Sequence, residues 1–127
     1  MADRFRVQGA FSWFELTTTD VHAAEAFYGR LFGWTTEPWI GERTYTLIKV
    51  DGKEVGGMVA APADQGGRPA GWGVYITVTD VDETARRVPE FGGKVLVQPT
   101  DMPKVGRFCV IQDPQGAVIT AITYRRD

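Results

Sequence analysis

One cysteine in 127 residues is the first scarcity of this chain. Cys109 cannot close an internal disulfide, so a packed core must hold the fold, and a reducing compartment is expected. No apolar run approaches the roughly 18 residues of a membrane-spanning helix. The first residues, Met1-Ala2-Asp3-Arg4-Phe5-Arg6, lack the apolar centre of a signal peptide. Charge of one sign is scarce too. Lys and Arg number 14 against 16 Asp and Glu, the formal net charge is -2, and no basic run occurs. No global field favours nucleic acid or an anionic membrane. These absences give the expectation of a cytoplasmic protein with neither kind of partner.

What is present is aromatic. Phe, Trp and Tyr make up 12% of the chain, with four Trp, and 43% of residues are hydrophobic. That suffices for one domain with a sizeable core. The aromatic residues fit either core packing or an aromatic-lined pocket, and only their positions separate the two.

The chain also repeats itself. Thr17-Thr18-Thr19-Asp20-Val21 recurs as Thr77-Val78-Thr79-Asp80-Val81, 60 positions on, and Phe32-Gly33 recurs as Phe91-Gly92. An apolar-alternating run precedes each copy and a helix-like run follows it. A unit used twice gives a pseudo-symmetric domain with a cleft between its halves.

Element by element, Phe11–Thr18 reads as a strand and Asp20 as the N-cap of a helix over about Val21–Leu31. Val21, Ala24, Phe27, Tyr28 and Leu31 fall on one stripe of that helix, and Gly33 is its C-cap. Strands follow over about Thr35–Trp39, Thr44–Val50 and Val55–Ala61, with Asp51-Gly52 as a two-residue hairpin turn. The second half reads as a strand Trp72–Thr79, the N-cap Asp80 and a helix Val81–Phe91. Strands over about Lys94–Gln98, Arg107–Gln112 and Ala117–Tyr124 complete it, with Asp113-Pro114-Gln115-Gly116 as a turn. The expected architecture is a single α+β domain of paired βαβββ modules, its mixed sheet curved around a cup and its helices on the outer face. Module 1 covers about 8–61, a Gly/Pro-rich linker 62–71, and module 2 about 72–125.

This layout resembles the vicinal oxygen chelate superfamily, which includes glyoxalase I, bleomycin-resistance proteins and extradiol dioxygenases. Thr19-Asp20-Val21, Ala24, Phe27-Tyr28 and Leu31-Phe32-Gly33-Trp34 carry the resemblance in the first half. Val78-Thr79-Asp80-Val81-Asp82 and Asp113-Pro114-Gln115-Gly116 carry it in the second. The likeness runs from about Phe11 to Thr123, and is greatest to small glyoxalase-like or hydroxylase-like members. It implies a homodimer, since such modules often assemble across two chains. It does not settle function.

Enzymes of this superfamily typically hold a divalent metal through His, Glu or Gln on the first and last strands of each half. Carried over by position, those places hold Trp13, Gly73 and Thr120, and the segment Val55-Gly56-Gly57-Met58-Val59 offers no carboxylate, imidazole or amide. The one histidine, His22, falls in the first turn of a helix, facing solvent. No metal site and no cofactor are therefore expected.

Strand alternation assigns faces. Phe14, Leu16 and Thr18 point to the first helix, against Phe27 and Tyr28. Trp13, Glu15 and Thr17 point into the cup. The 60-residue offset makes Tyr75 the mate of Glu15 and Thr77 the mate of Thr17, and Thr120 and Met58 join them. The expected ligand-binding set is Trp13, Thr17, Met58, Thr77 and Thr120, and the catalytic candidates are Glu15 and Tyr75. Trp13 suits stacking on a planar ligand, or fills the volume a metal takes elsewhere. Glu15 suits general acid or base work, or seals the cup by hydrogen bonding. Trp34, Trp39 and Trp72 read as packing or rim residues. Cys109 reads as an inert core thiol, and Arg107 as an ordinary surface residue or a greeter of an anionic ligand. Three function classes stay open. They are a metal-independent small-molecule binder, an enzyme using Glu15 (a lyase, isomerase or hydroxylase-like activity), and a metal-dependent lyase or dioxygenase, which the ligand positions oppose.

Overall fold

A computed structural model of the protein describes residues 3–39, 45–61 and 70–125. The fold is α+β, a βαβββ order used twice. The chain divides into two compact units, residues 13–73 and residues 3–12 with 74–125.

The first module consists of β1 (Phe11–Thr18), α1 (Val21–Phe32), β2 (Thr35–Pro38), β3 (Thr46–Val50) and β4 (Lys53–Ala60). Its strands lie in the order β2-β3-β4-β1, with β1 parallel to β4 and the other pairs antiparallel. Asp20 caps α1 by accepting from the Ala23 N–H at 3.0 Å. Gly33, at φ 77°, ends the helix in the left-handed region. Asp51 and Gly52, both at positive φ, make the hairpin turn that joins β3 to β4.

Leu16, Ile48 and Met58 are the buried centre of this module, and Val21, Ala24 and Tyr28 of α1 pack on them. The stripe is narrower than the sequence suggests. Phe27 and Leu31 remain 58% and 59% exposed. Phe14, expected against the helix, is also exposed. Residues 21, 24 and 28 form the line of contact with the sheet, and 27 and 31 flank it. An aromatic group gathers around Tyr28, with Trp34 stacked at 5.3 Å and Trp72 edge-on at 5.4 Å. Trp72 Nε1 also donates to Tyr28 Oη at 3.2 Å.

The second module consists of β5 (Gly71–Thr77), α2 (Val81–Arg87), a 3₁₀ turn (Val88–Phe91), β6 (Lys94–Met102), β7 (Gly106–Gln112) and β8 (Val118–Tyr124). The order is β5-β8-β7-β6, with β5 parallel to β8 and the rest antiparallel. The helix expected to run on to Phe91 is split instead. Pro89 has no N–H to continue the α-helical ladder, so the chain tightens to 3₁₀ and closes at Gly92, φ 88°. Val78, Val81, Ala85, Cys109 and Ala121 form the core between α2 and its sheet. Asp113 holds its turn by accepting from the N–H groups of Gln115 and Ala117 at 2.9 and 3.0 Å.

Residues 3–12 group with the second module, although sequence order places them at the head of the first. The Gly9 N–H donates to Thr77 O at 2.8 Å, and the Thr77 N–H donates to Ala10 O at 2.9 Å. Of the expected linker 62–71, residues 62–69 lie outside the described residues. Among the described residues no helix is long and apolar enough to cross a membrane.

Candidate functional site

In the first module, β1 sends alternate side chains to opposite faces. Leu16 goes to the α1 side, so Trp13, Glu15 and Thr17 go to the other. There Trp13 and Glu15 meet a residue the sequence does not single out. Trp13 Nε1 donates to Tyr45 Oη at 2.8 Å, and Tyr45 Oη donates to Glu15 Oε1 at 2.8 Å. Tyr45 and Leu47, two residues apart on the same face, are buried, while Trp13 and Glu15 are half-buried. Trp39 stands edge-on to the Tyr45 ring at 6.2 Å, and its backbone N–H donates to Tyr45 O at 2.9 Å. The result is an indole, a phenol and a carboxylate in series, with a second indole alongside.

Gly57 makes room for this group. It pairs with Glu15 on β1 and with Leu47 on β3, and a Cβ placed on it would overlap Oη, Cζ and Cε2 of Tyr45. The phenol therefore lies flat against the backbone of β4. A glycine inside a strand commonly marks such a close approach, so Gly56-Gly57 was the available sequence signal for Tyr45.

Met58 does not belong to this face. It pairs with Leu16 and is buried against α1, because one step along a strand reverses the side chain. The expectation that it lines the site with Trp13 is corrected by that register.

In the second module, Tyr75 pairs with Thr120 and Thr77 with Ile122, so these four share the face turned away from α2. Thr77 does not offer its hydroxyl to an incoming molecule. It is 2% exposed and donates to Arg4 O at 2.6 Å. Arg4 Nε donates to Ser12 O at 3.0 Å, Ser12 Oγ shares a 2.8 Å hydrogen bond with Tyr124 Oη, and Phe5 stands edge-on to Tyr124 at 4.8 Å. Residues 4–12 are thus fastened onto this face, and the sequence carried no cue for it.

The remaining candidates fall elsewhere. Arg107 is no greeter of anions. It makes two hydrogen bonds to Asp82 and one to Asp101, each at 3.0 Å, which commit three of its five N–H groups to carboxylates. The Arg107 guanidinium in turn holds the Asp82 carboxyl below its ordinary range. Cys109 is fully buried, and burial pushes its thiol up, away from reactivity. His22 has a 98% exposed side chain, 3.3 Å from Glu25.

Among the described residues no three His, Cys, Asp or Glu side chains are grouped to hold a metal ion. Glu15 accepts from the Tyr45 phenol, and the phenol accepts from the Trp13 indole N–H; an indole N–H is not a ligand for a divalent ion.

The two βαβββ modules define the fold class. The family model for the Glyoxalase/Bleomycin resistance protein/Dioxygenase superfamily matches residues 10–120, and the chain belongs to that superfamily. Among curated proteins, it is 38% identical over 116 residues to "Putative glyoxylase CFP32" of Mycobacterium tuberculosis, which covers 90% of this chain and 44% of that protein. It is 39% identical over 129 residues to the anthracycline biosynthesis protein DnrV of Streptomyces peucetius, covering 86% of this chain and 45% of that protein. The chain therefore spans less than half the length of these relatives. Among solved structures, methylmalonyl-CoA epimerase from Mycobacterium tuberculosis superposes with a TM-score of 0.67 at 19% identity, over 99% of this chain and 94% of that one. A likeness at that identity establishes the fold alone.

Proposed function

We propose that this domain binds a small aromatic or carbonyl-containing molecule at the Trp13 face of the first module, without the divalent metal of the superfamily's enzymes. The observation that carries the reading is the Trp13–Tyr45–Glu15 hydrogen-bond series. Flat apolar rings with a few fixed polar atoms are the usual make-up of a small-molecule site. The relatives named for anthracycline biosynthesis support an aromatic ligand, and the relative named as a glyoxylase supports a carbonyl one. Metal independence is supported by the poor donor set around Glu15. The test is a titration with a planar probe, 2-naphthol, followed through the indole N–H signals in 1H–15N spectra. Trp13→Ala is expected to weaken binding at least about tenfold, because it removes the stacking surface. Unchanged affinity would place the ligand elsewhere.

A second reading is favoured by one contact, the 2.8 Å hydrogen bond that Tyr45 donates to Glu15. A carboxylate so oriented suits general acid or base work on a bound substrate. Glu15→Gln would then lower turnover by about a hundredfold or more while the rings still hold the molecule. Turnover that survives this change would remove Glu15 from the chemistry.

The proposed assembly is a homodimer in the cytoplasm. Phe27, Leu31 and Phe32 leave an exposed apolar strip on α1, and the relatives have more than twice the length of this chain. A monomer by light scattering at micromolar concentration would count against the dimer.

A further inference from the structure

We infer that the outward face of α1 is the contact surface between two copies of this chain, and that the two helices meet antiparallel about a two-fold axis near Phe27. The inference rests on the reading of the protein as a homodimer and adds to it the face and the arrangement of the contact.

The internal repeat supplies the comparison that singles out this face. At helical positions 60 residues apart, α1 presents Ala23, Ala26 and Phe27 where α2 presents Glu83, Arg86 and Arg87, and all six are exposed. The inward positions stay apolar in both, with Val21 answering to Val81 and Tyr28 to Val88. So α2 is an ordinary surface helix, apolar within and charged without. In α1 the only acidic or basic side chains are His22, Glu25 and Arg30, and Glu25 is turned aside to accept from Thr36 Oγ1 at 2.8 Å. Yet no residue of α1 is fully buried. A helix that is apolar on both sides belongs between two layers, and one chain supplies only one of them.

The size of the patch fits a dimer. Phe27, Phe32 and Trp72 all contact the Tyr28 ring, and Leu31 lies one turn from Phe27. These four side chains are between 44% and 59% exposed. They leave roughly 400 Å² of apolar surface open. A stable interface takes about 800 Å² from each partner, a little over half of it apolar, so the patch supplies most of the apolar share.

A second copy matches the pattern. The small residues Ala23 and Ala26 come first along α1, and the large Phe27 and Leu31 follow. An antiparallel pair sets the large residues of each copy over the small ones of the other. Charge agrees with that direction. Arg30 is exposed in the last turn and Asp20 is exposed at the N-cap, so antiparallel helices bring each Arg30 toward the partner's acidic end. Parallel helices would set Arg30 against Arg30. The outer strands discourage the alternative of strand-to-strand pairing. β2 has four residues and ends in Pro38, and β6 carries Pro99 and two register shifts.

The test is sedimentation equilibrium of the full chain across the micromolar range. Ala23→Glu, Ala26→Arg and Phe27→Arg, made together, give α1 the outward residues that α2 already carries. The thermal midpoint is expected to hold while the dimer dissociation constant rises at least about a hundredfold. Arg30→Glu faces the partner's Asp20 with a like charge and is expected to weaken the dimer about fivefold at low salt. A dimer that survives the triple substitution would overturn the inference and leave the homodimer in place. If the triple variant does not fold, Phe27→Arg alone decides, with a rise of at least about tenfold expected and no rise overturning the inference. An unchanged or tighter dimer in Arg30→Glu would overturn the antiparallel arrangement. A wild type that is monomeric throughout would remove the homodimer and the inference with it.

Discussion

The two modules share an element order but carry different chemistry on corresponding strands. In the first, β1 places Trp13, Glu15 and Thr17 on the face away from its helix, and Tyr45 links the first two. In the second, the positions 60 residues on are Gly73, Tyr75 and Thr77. There the face holds the chain's own residues 4–12, fastened through Thr77, Ser12 and Tyr124. One module keeps a polar and aromatic series. The other has its threonine bonded to an N-terminal carbonyl. The repeat preserves what the backbone needs, namely an aspartate cap and a glycine stop on each helical stretch. It leaves the side chains of the opposite face free to diverge.

The difference between the modules can be broken, and the largest effect is expected at the notch. Gly57→Ala places a methyl group where the Tyr45 ring lies, and such overpacking typically costs about 1–3 kcal/mol. A clear fall in thermal midpoint is expected, and an unchanged one would mean that Tyr45 can move aside cheaply. Thr77→Val should come next. It removes the hydroxyl that donates to the Arg4 carbonyl, at a cost of about 1 kcal/mol. Faster amide exchange at Gly9 should accompany it, because that N–H bonds the Thr77 carbonyl. Protected exchange at Gly9 would show that the segment is held by other contacts.

A smaller effect separates the modules by pH. Asp82 titrates below its ordinary value because Arg107 donates to it. A lowered folded value means that the pair's stabilising contribution is complete above the ordinary carboxylate value, about 3.8. It is lost as pH falls from there through the lowered value. The stability difference between the wild type and Asp82→Asn should therefore shrink on acidification through that window. A difference that grows instead would reverse the sign of the linkage. The smallest effect is expected at His22→Ala, within about 0.5 kcal/mol, since that side chain stands in solvent. A larger loss in denaturant titration would show that its contact with Glu25 matters.

The fold was legible where local chemistry and burial agree. The bounds of β1 and the start of α1 followed from alternation and from Asp20, and the hairpin turn from Asp51-Gly52. Pro89 was also visible, yet the periodicity that runs past it concealed the change to 3₁₀. Along β1 a two-residue period sets Trp13 and Glu15 on one face and Leu16 on the other, but it did not foretell that Phe14 stays exposed, and for Met58 the register between strands decides. Tyr45 was hidden for a different reason. It sits just before β3, outside the first and last strands where the superfamily places its ligands. Only the paired glycines of β4 hinted that something presses on that strand. The fastening of residues 4–12 depends on contacts some 70 residues apart, such as Thr77 to Arg4, and no local pattern encodes them.

The central claim is that a small planar molecule binds at the Trp13–Tyr45–Glu15 face without metal. A titration of 2-naphthol in the presence of EDTA, following the Trp13 indole N–H signal, tests it directly. A saturable shift that is the same with and without the chelator is expected. No shift, or a shift that appears only when a divalent cation is restored, would contradict it.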